Sequence, residues 1–435
     1  MSAGPASAGP ASAGPASEQA SPAAGVGRHE WERRATARTG AGAVFDPFPV
    51  LAEMRADAPV HATSISAVFG LADPLEHVFG DRAHVCTLDY ATTAEVLGDT
   101  ARFSNAGLKP MSEPNYGPVS FQGTDGPEHR RYRMLVQPAF GRRGLAMWNQ
   151  WLAPRLDELI DGFAADGAAN LYFAYCAQFP AYVTAKAFGV PDADVALFSQ
   201  WAATLQTGAA DPDEAAATSQ RVVDYLLAII ADRRRTERDD LISLIVRSEI
   251  TDEDGTHRPT DEQILGLVRN IMPAGVGTTY RTLGIVLLAL LASPGLLARV
   301  AAERELLRPA IEEALRWNSP VTWMLRVATT DTELAGVPVP AGAVVEACIG
   351  AANRDPAQYT RPDEYDLDRA ERPHLSFSIG PHFCIGAQVG RMEVETALGR
   401  LLDRLPGLGA DPAAEEPEVT GLMFRMPTAV PARWD

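Results

Sequence analysis

Apolar residues recur at steps of three and four through the middle of the chain, from residue 127 to residue 318. Trp148, Leu152, Leu156 and Ile160 form one such series, and Val222 opens another. Steps of three and four place side chains on one face of an α-helix, so each series predicts an amphipathic helix with one face in a core. This part of the chain is therefore expected to be helical.

The longest helix is predicted to begin after Thr260. Residues 260–263 read Thr-Asp-Glu-Gln, which is the form of a capping box with two acidic residues in the first turn. Nothing ends the helical pattern before Ser293 and Pro294. The helix is therefore expected to run for about 32 residues, or about 48 Å at 1.5 Å per residue.

The interior of this helix carries Pro273, Gly275 and Gly277. Together these residues cost several kcal/mol in a helix interior. One interpretation is a kink that serves packing, and the other is a helix opened to admit a ligand or water. The pattern alone leaves both interpretations open.

Beyond Pro320 the pattern changes to short β-prone runs separated by Gly and Pro, at residues 325–330, 337–339 and 343–345. A last helix is predicted over residues 386–402. The predicted fold class is thus mainly α with small β-sheets. No run has the strand–GxGxxG–helix order of a dinucleotide site or the form of a P-loop, so redox or group-transfer chemistry needs a cofactor held in another way.

The amino terminus repeats Ser-Ala-Gly-Pro-Ala three times from Ser2 to Ala16. Small residues with a Pro at every fifth position cannot bury surface or propagate a helix. Residues 1–25 are therefore expected to be a disordered tail.

Charge and composition narrow the partners and the compartment. Asp and Glu number 56 against 38 Lys and Arg, a net charge of −18, which argues against nucleic acid as a partner because phosphate backbones are repelled. The most membrane-like stretch, residues 282–298, is cut by Pro294 and Gly295, and a membrane span needs about 20 apolar residues. Four cysteines in so long a chain form no disulfide framework. We expect a cytoplasmic protein with no membrane segment.

The most informative segment is residues 377–387, Phe-Ser-Ile-Gly-Pro-His-Phe-Cys-Ile-Gly-Ala. It places Cys384 just ahead of a predicted helix, where free backbone N–H groups and the helix dipole favour the thiolate, the form that binds metal. A buried cysteine is more often an inert small hydrophobe, so Cys384 by itself decides nothing. The whole segment, with Phe377 before the cysteine and Gly386 after it, resembles the heme-binding loop of the cytochrome P-450 superfamily.

Other segments resemble the same family, in the same order along the chain. Residues 313–316, Glu-Ala-Leu-Arg, are similar to its buried Glu-x-x-Arg pair, although such a pair is usually a surface contact when it is seen alone. Residues 125–133 are similar to the start of a helix at the heme edge. The resemblance covers roughly residues 45–430 and implies the cytochrome P-450 fold, a single catalytic domain with heme between the long central helix and the Cys-loop helix.

The resemblance implies a heme b site with Cys384 as the axial iron ligand. His129 and Arg133, four residues apart on one helix face, are then suited to a heme propionate, whereas His129 alone would be read as a solvated histidine at a helix N-terminus. The full set of implied cofactor-binding residues is His129, Arg133, Ala274, Gly275, Arg326, Phe377, Gly380, His382 and Gly386.

Residues 274–279, Ala-Gly-Val-Gly-Thr-Thr, match the family's oxygen-binding segment. Thr278 falls on the alcohol that supports proton delivery, and Thr278 and Thr279 are the implied catalytic residues. Gly277 departs from the family pattern, because an acid usually stands there; protons would have to come through water, Thr279 or a substrate hydroxyl. Ser378 stands where glycine is usual and is expected to fit with a negative φ.

The implied activity is a heme-thiolate monooxygenase that hydroxylates or epoxidises an apolar small molecule of terpenoid, steroid, fatty-acyl or polyketide-like type. The pocket is expected to be lined by Ala274, Val276 and residues 105–121, 321–324 and 422–424. Two alternatives are a peroxide-driven peroxygenase, which the missing acid at Gly277 favours and Thr278 disfavours, and a non-catalytic partner protein, which the presence of Cys384 disfavours.

The chain has no flavin, nicotinamide or iron–sulfur motif, so its electrons are expected from external donors. The resemblance to soluble bacterial members of the family implies a ferredoxin and its ferredoxin reductase. Arg130, Arg131, Arg142 and Arg143 form a local basic cluster in an acidic chain. The cluster is either a docking surface for an acidic ferredoxin or ordinary solvated helix charge.

Overall fold

The computed structural model describes residues 41–73, 75–206, 212–252, 255–370 and 372–435. The Ser-Ala-Gly-Pro-Ala repeat, and with it the predicted tail over residues 1–25, lies outside the described residues.

Helices make up most of the described ranges, as the periodicity predicts. They are α1 (Phe48–Asp57), α2 (Ile65–Val68), α3 (Glu76–Phe79), α4 (Tyr90–Gly98), α5 (Lys109–Tyr116), α6 (Gly126–Phe140), α7 (Arg142–Asp161), α8 (Phe179–Ala187), α9 (Val195–Gln206), α10 (Pro212–Arg235), α11 (Leu241–Arg247), α12 (Asp261–Leu291), α13 (Pro294–Ala302), α14 (Leu307–Trp317), α15 (Ile349–Ala352) and α16 (Ala387–Arg404).

The strands are short, and they form small sheets. They are β1 (Val60–His61), β2 (His84–Thr87), β3 (Phe103–Ser104), β4 (Ala168–Asn170), β5 (Ile250–Asp252), β6 (Gly255–His257), β7 (Met324–Ala328), β8 (Thr332–Leu334), β9 (Val337–Val339), β10 (Val344–Ala347), β11 (Gly409–Ala410), β12 (Val419–Thr420), β13 (Met426–Pro427) and β14 (Pro431–Arg433). The largest sheet has the order β1-β2-β10-β7-β3. Strand β10 lies parallel to β2, with Val345 opposite Val85, and antiparallel to β7, with Val345 opposite Arg326.

Helix α12 begins where the sequence predicts and is 31 residues long. The Thr260 hydroxyl accepts from the Gln263 N–H at 3.2 Å, and the Gln263 side chain accepts from the Thr260 N–H at 2.9 Å, so the capping box is present. The helix is continuous through Pro273 and Gly275. Gly275 permits close packing, because a Cβ there would lie 3.2 Å from Oγ1 of Thr184 on α8.

The main core surrounds α12, which packs against α8, α9, α14 and α16. The apolar faces of α7 and α10, including Leu152, Leu156 and Val222, belong to the same core. Among the described residues, α12 is the one helix long and apolar enough to cross a membrane, and 78% of its most apolar window is buried inside the protein. Such burial is typical of a central core helix.

Candidate functional site

A cavity of about 930 Å³ lies between α12 and the loop that precedes α16. Side chains that are far apart in the sequence line this cavity, and they include nearly all of the predicted site residues. These are His129, Arg133, Ala274, Gly275, Thr278, Thr279, Arg326, Phe377, His382, Cys384 and Gly386. A second cavity of about 1040 Å³, between α1 and residues 410–419, contains none of them.

Gly380 is the one predicted site residue that does not line the cavity. Its φ is +69°, in the left-handed region, and a Cβ there would lie 3.2 Å from the Cα of Gly98. Glycine is thus required for a close approach between the Cys384 loop and the end of α4. Gly380 shapes the loop rather than the cavity wall.

Cys384 opens into the cavity from the loop between Gly380 and the start of α16. The loop is fixed by its backbone, since the Cys384 N–H donates to the Phe377 carbonyl at 2.8 Å. Cys384 is exposed to the cavity, and a Cβ at Gly386 would lie 3.9 Å from Sγ, an ordinary van der Waals contact. The remaining three cysteines are buried in the protein.

Two effects act in opposite directions on the pKa of Cys384. Burial raises the pKa of the thiol, although the backbone N–H groups of Gly386 and Ala387 and the guanidinium groups of Arg133 and Arg391 lower it. The backbone donors at the helix start thus act in the expected direction on the pKa of Cys384, and desolvation opposes them. A coordinated metal ion removes the proton outright.

Buried basic side chains with nitrogens that lack a hydrogen-bond partner among the described residues line one end of the cavity. Arg326 is 1% exposed, and only its Nη1 is bonded, to the Leu325 carbonyl. Its Nε and Nη2, and Nδ1 of His129, have no hydrogen-bond partner among the described residues. Such groups are costly unless an anion satisfies them. The solvated alternative for His129 is wrong, because this residue is 2% exposed.

Burial is the main cause that lowers the pKa values of the basic groups at this end of the cavity. Burial, followed by His382 and Arg133, lowers the pKa of His129 to about 4, and burial lowers that of Arg326 to about 10. The rings of His129 and His382 lie with their centroids 4.0 Å apart. This arrangement fits two carboxylates of a bound group, such as the two propionates of heme, which would supply the missing acceptors and negative charge.

Asp125 holds His382 in place, a role that the sequence analysis missed. Its Oδ1 lies 2.9 Å from Nε2 of His382, and Oδ2 accepts from the Ser104 hydroxyl at 2.6 Å. Burial alone would raise the pKa of Asp125, but hydrogen bonds from His382, Ser104 and the Ala106 N–H lower it to about 2. The motif at residues 125–133 indicated that this segment lies near the cofactor, but nothing in the local sequence predicts that the Asp125 carboxylate contacts the side chain of His382.

The α12 wall presents Ala274, Thr278 and Thr282, one turn apart. The Thr278 hydroxyl donates to the Ala274 carbonyl at 3.0 Å. Val276, predicted to line the pocket, is 4% exposed and belongs to the core. Two residues from Ala274 correspond to about 200° around a helix, so Val276 faces the other way.

A buried acid that the sequence analysis missed lies behind this wall. Glu393 of α16 is 2% exposed, and its Oε2 lies 3.3 Å from Oγ1 of Thr279. Burial raises the pKa of Glu393 to about 8, opposed by the Thr279 hydrogen bond. Glu393 also contributes to the cavity lining.

Ser378 contradicts the expectation of a negative φ. Its φ is +59°, in the left-handed region that glycine adopts without strain. The residue is 6% exposed, and its hydroxyl has no hydrogen-bond partner among the described residues. The loop geometry is thus kept with serine at a conformational cost.

The rest of the cavity wall is mostly apolar. Residues of the predicted segments 105–121, 321–324 and 423–424 line it, but Leu422 and Thr322 do not. The sequence analysis missed the connection between β1 and β2, residues 62–83, from which Ser66, Leu75 and Val78 reach the cavity. This connection is tied to the sheet by a hydrogen bond from the Ile65 N–H to Oε2 of Glu346 at 2.8 Å.

The predicted basic cluster is described only in part. Arg130 on α6 is exposed and Arg131 is half-buried, whereas the side chains of Arg142 and Arg143 lie outside the described residues.

Comparisons with known proteins agree with this geometry. A family model described as Cytochrome P-450 matches residues 210–408. The cytochrome P-450 monooxygenase PikC of Streptomyces venezuelae is 32% identical over 403 residues, covering 89% of this chain and 91% of its own. Vitamin D(3) 25-hydroxylase of Pseudonocardia autotrophica is 35% identical over 312 residues, covering 70% of this chain and 74% of its own.

The fold is likewise similar to solved structures. That of cytochrome P-450 CYP109Q5 from Chondromyces apiculatus superposes with a TM-score of 0.77 and 28% identity, over 89% of this chain and 95% of that one. A single cysteine facing unpaired cations across an apolar cavity agrees with the heme that this family carries. The chain therefore belongs to the cytochrome P-450 family and is a heme-containing monooxygenase.

Proposed function

We propose that this enzyme hydroxylates or epoxidises an apolar small molecule of terpenoid, steroid, fatty-acyl or polyketide-like type, with electrons from a ferredoxin. The observation that carries the proposal is the cavity itself, in which Cys384 and Thr278 share one mostly apolar chamber. One relative is by name a vitamin D(3) hydroxylase, which supports a steroid-like substrate. Residues 26–435 would form one catalytic domain in the cytoplasm.

Heme would be held by residues already in place. Cys384 Sγ would bind the iron. The propionates would be bound by His129, Arg133, Arg326 and His382, and residues 274–275, 377 and 386 would pack against the rest of the group. The chemistry supplied by heme bound through a thiolate is activation of dioxygen and transfer of one oxygen atom to the substrate.

The chain's own residues would position the substrate and deliver protons. The apolar wall would exclude water and orient the substrate. Thr278, whose hydroxyl proton is directed to the Ala274 carbonyl, would leave its oxygen lone pairs free to accept a hydrogen bond in the cavity. The overall reaction takes up two electrons and two protons for each dioxygen, gives the oxygenated product and releases one water.

Replacement of Cys384 by Ser tests the iron ligand. The red-shifted ferrous–CO absorption band of a thiolate heme should disappear, because the sulfur ligand is lost. Cys348→Ala, which alters a buried cysteine that does not line the cavity, should keep the band. An unchanged band in Cys384→Ser would contradict the assignment.

The electron donor is tested at Arg130. Arg130→Glu should slow ferredoxin-driven reduction at low salt and flatten its salt dependence, because a docking charge is reversed. Peroxide-driven turnover should be unaffected. Arg235→Glu, at the exposed end of α10, is the matched control; equal slowing in both variants would show that only net charge matters.

A peroxide-driven peroxygenase is the second candidate, because Gly277 provides no acid at the usual position. The two functions differ in the oxidant that the enzyme uses. Product formed from dioxygen with ferredoxin, ferredoxin reductase and NAD(P)H supports the monooxygenase, if catalase is present to remove peroxide. Product formed with peroxide alone supports the peroxygenase.

A further inference from the structure

We propose that Asn270 on α12 donates a hydrogen bond to an acceptor oxygen of the substrate, a carbonyl or ether oxygen. This contact would fix which end of an elongated apolar substrate lies near Thr278. The inference rests on the proposed monooxygenase function and names a chemical feature that the substrate carries.

Asn270 is a buried amide in a mostly apolar cavity wall. It is 4% exposed and borders the cavity that Cys384 enters. Ile271, next to it on α12, and Phe121 also line the cavity and are apolar. A buried amide in such surroundings is costly unless both its oxygen and its nitrogen are hydrogen-bonded.

Only the oxygen of this amide is bonded within the described part of the chain. Asn270 Oδ1 accepts from the Ser120 hydroxyl at 2.9 Å, and the same hydroxyl accepts from the Gln122 N–H at 3.1 Å. A hydroxyl has one proton, and that of Ser120 is directed to Oδ1, so the network orients the amide. Nδ2 of Asn270 has no hydrogen-bond partner among the described residues. The group that this side chain can offer to a ligand is therefore a donor.

Heme does not supply the acceptor that Asn270 lacks. The oxygen atoms of heme b are those of its two propionates, and the residues proposed to bind them are His129, Arg133, Arg326 and His382. These residues lie on α6, on β7 and in the Cys384 loop, whereas Asn270 lies on α12. The acceptor is therefore expected from the substrate.

The position of Asn270 on α12 sets a distance within that substrate. Asn270, Ala274 and Thr278 are four residues apart and share one face of the helix. Asn270 precedes Thr278 by eight residues, or about 12 Å along the helix axis at 1.5 Å per residue. The substrate that fits is an elongated apolar molecule with an acceptor oxygen near one end and the oxidised carbon about 12 Å away.

Thr184 of α8 is the rival for such a contact. It is 1% exposed and borders the cavity, and its Oγ1 has no hydrogen-bond partner among the described residues. It lies beside Gly275, where a Cβ would be 3.2 Å from Oγ1. Gly275 is five residues after Asn270, or about 140° around the helix, so the two polar groups lie on different sides of α12. A hydroxyl also donates and accepts equally well, whereas the Asn270 NH2 group only donates.

Ligands fixed to the iron at one end test the distance without a known substrate. The probes are 1-alkylimidazoles, whose ring nitrogen binds heme iron and shifts the Soret band to longer wavelength. Each is compared with the imidazolyl alkanone of the same chain length, whose carbonyl stands one carbon from the chain end. In the full-length heme-loaded parent, one range of chain lengths should bind about 3–10-fold more tightly as the ketone, because its carbonyl accepts from Asn270. Shorter and longer chains should show no gain.

Two variants assign the gain to one residue. Asn270→Leu keeps the approximate size and removes the donor, so the ketone should lose its advantage while the alkylimidazoles bind as they do to the parent. Thr184→Val is the matched control and should keep the advantage of the ketone. The inference is overturned if the parent binds ketone and alkane equally at every chain length. It is also overturned if the advantage survives in Asn270→Leu or is lost in Thr184→Val alone.

A second variant covers poor folding of Asn270→Leu, which leaves the Ser120 hydroxyl without its acceptor. Asn270→Leu combined with Ser120→Ala removes both partners, a change that is nearly neutral when the shape is kept. This double variant should show the parental ferrous–CO band and no advantage of the ketone; a retained advantage overturns the inference. The proposed function fails separately, if the parent itself lacks the thiolate ferrous–CO band or forms no product with ferredoxin.

Discussion

Arg316 and Arg326, both buried in the described part of the chain, differ in whether the charged group has partners. Arg316 is 2% exposed, and its five N–H groups are all bonded: two to the carboxylate of Glu313 at 2.8 Å and three to backbone carbonyls. Arg369 adds a second cation to Glu313, at 3.0 Å. Arg326, equally buried, has one bonded nitrogen and two without a partner in the described part of the chain.

The difference separates a structural cluster from a ligand site. In the cluster of Glu313, Arg316 and Arg369, the charged groups are hydrogen-bonded to one another and to backbone carbonyls. The cluster therefore stabilises the packing of α14 against residues 353–369 with no ligand present. The cluster around Arg326 and His129 is incomplete without an anion, and it lies in the cavity that Cys384 enters. Burial of an arginine therefore does not by itself indicate a ligand, whereas the unpartnered nitrogens of Arg326 in the cavity wall do favour one.

The largest effect is expected where the complete cluster is broken. Glu313→Gln leaves Arg316 and Arg369 buried without their anion and should lower the free energy of unfolding by about 3–5 kcal/mol. Denaturant unfolding of the purified enzyme measures it. Glu364→Gln, whose side chain is 59% exposed, should change stability by less than about 0.5 kcal/mol. Equal effects in the two variants would contradict the comparison.

The second effect concerns pH and the incomplete cluster. Because burial, His382 and Arg133 lower the pKa of His129 from 6.5 to about 4, the native state binds fewer protons than the unfolded state between these values. Stability is then fully present above pH 6.5 and is lost as pH falls towards 4, by at most about 3 kcal/mol. Denaturant titrations of heme-free protein should show this loss, and His129→Asn should flatten it. In the heme-loaded enzyme the loss of stability at low pH should be smaller, because the negative propionates favour protonated His129.

The third effect is on heme retention. Arg326→Met removes an unsatisfied guanidinium and should speed transfer of heme to an acceptor globin by about 10–100-fold, the loss expected for a hydrogen bond to a charged group. Arg425→Met is the matched control, because Arg425 is buried but bonded to Asn318 and to backbone carbonyls outside the cavity. It should destabilise the fold without changing the rate of heme transfer. A parental rate in Arg326→Met would exclude Arg326 from the propionate site.

The smallest effect is a gain in stability. Ser378→Gly removes a left-handed non-glycine residue and a buried hydroxyl without a partner, and should raise the free energy of unfolding by about 1 kcal/mol. Thermal unfolding of the loaded enzyme checks it. A decrease would mean that the hydroxyl has a function in the heme loop.

The sequence by itself determined the local elements and the family to which the chain belongs. The capping box at Thr260 and Gln263 formed as predicted because its hydrogen bonds join residues three apart. The helices that carry Trp148 and Val222 followed from a repeat that depends only on helix geometry. The motif around Cys384 indicated the family, and the resemblance to that family predicted most of the residues that line the cavity.

Only the tertiary structure decided what depends on contacts between distant segments. The left-handed φ of Ser378 and the desolvation that raises the pKa of Cys384 could not be predicted from the residues of the loop. The connection between β1 and β2 reaches the cavity because β2 pairs with β10, more than 250 residues later in the chain. The meeting of Glu393 and Thr279 requires α16 to lie on α12. Local propensity determines each helix, but close packing of helices far apart in sequence determines which side chains share an environment, and that environment decides their chemistry.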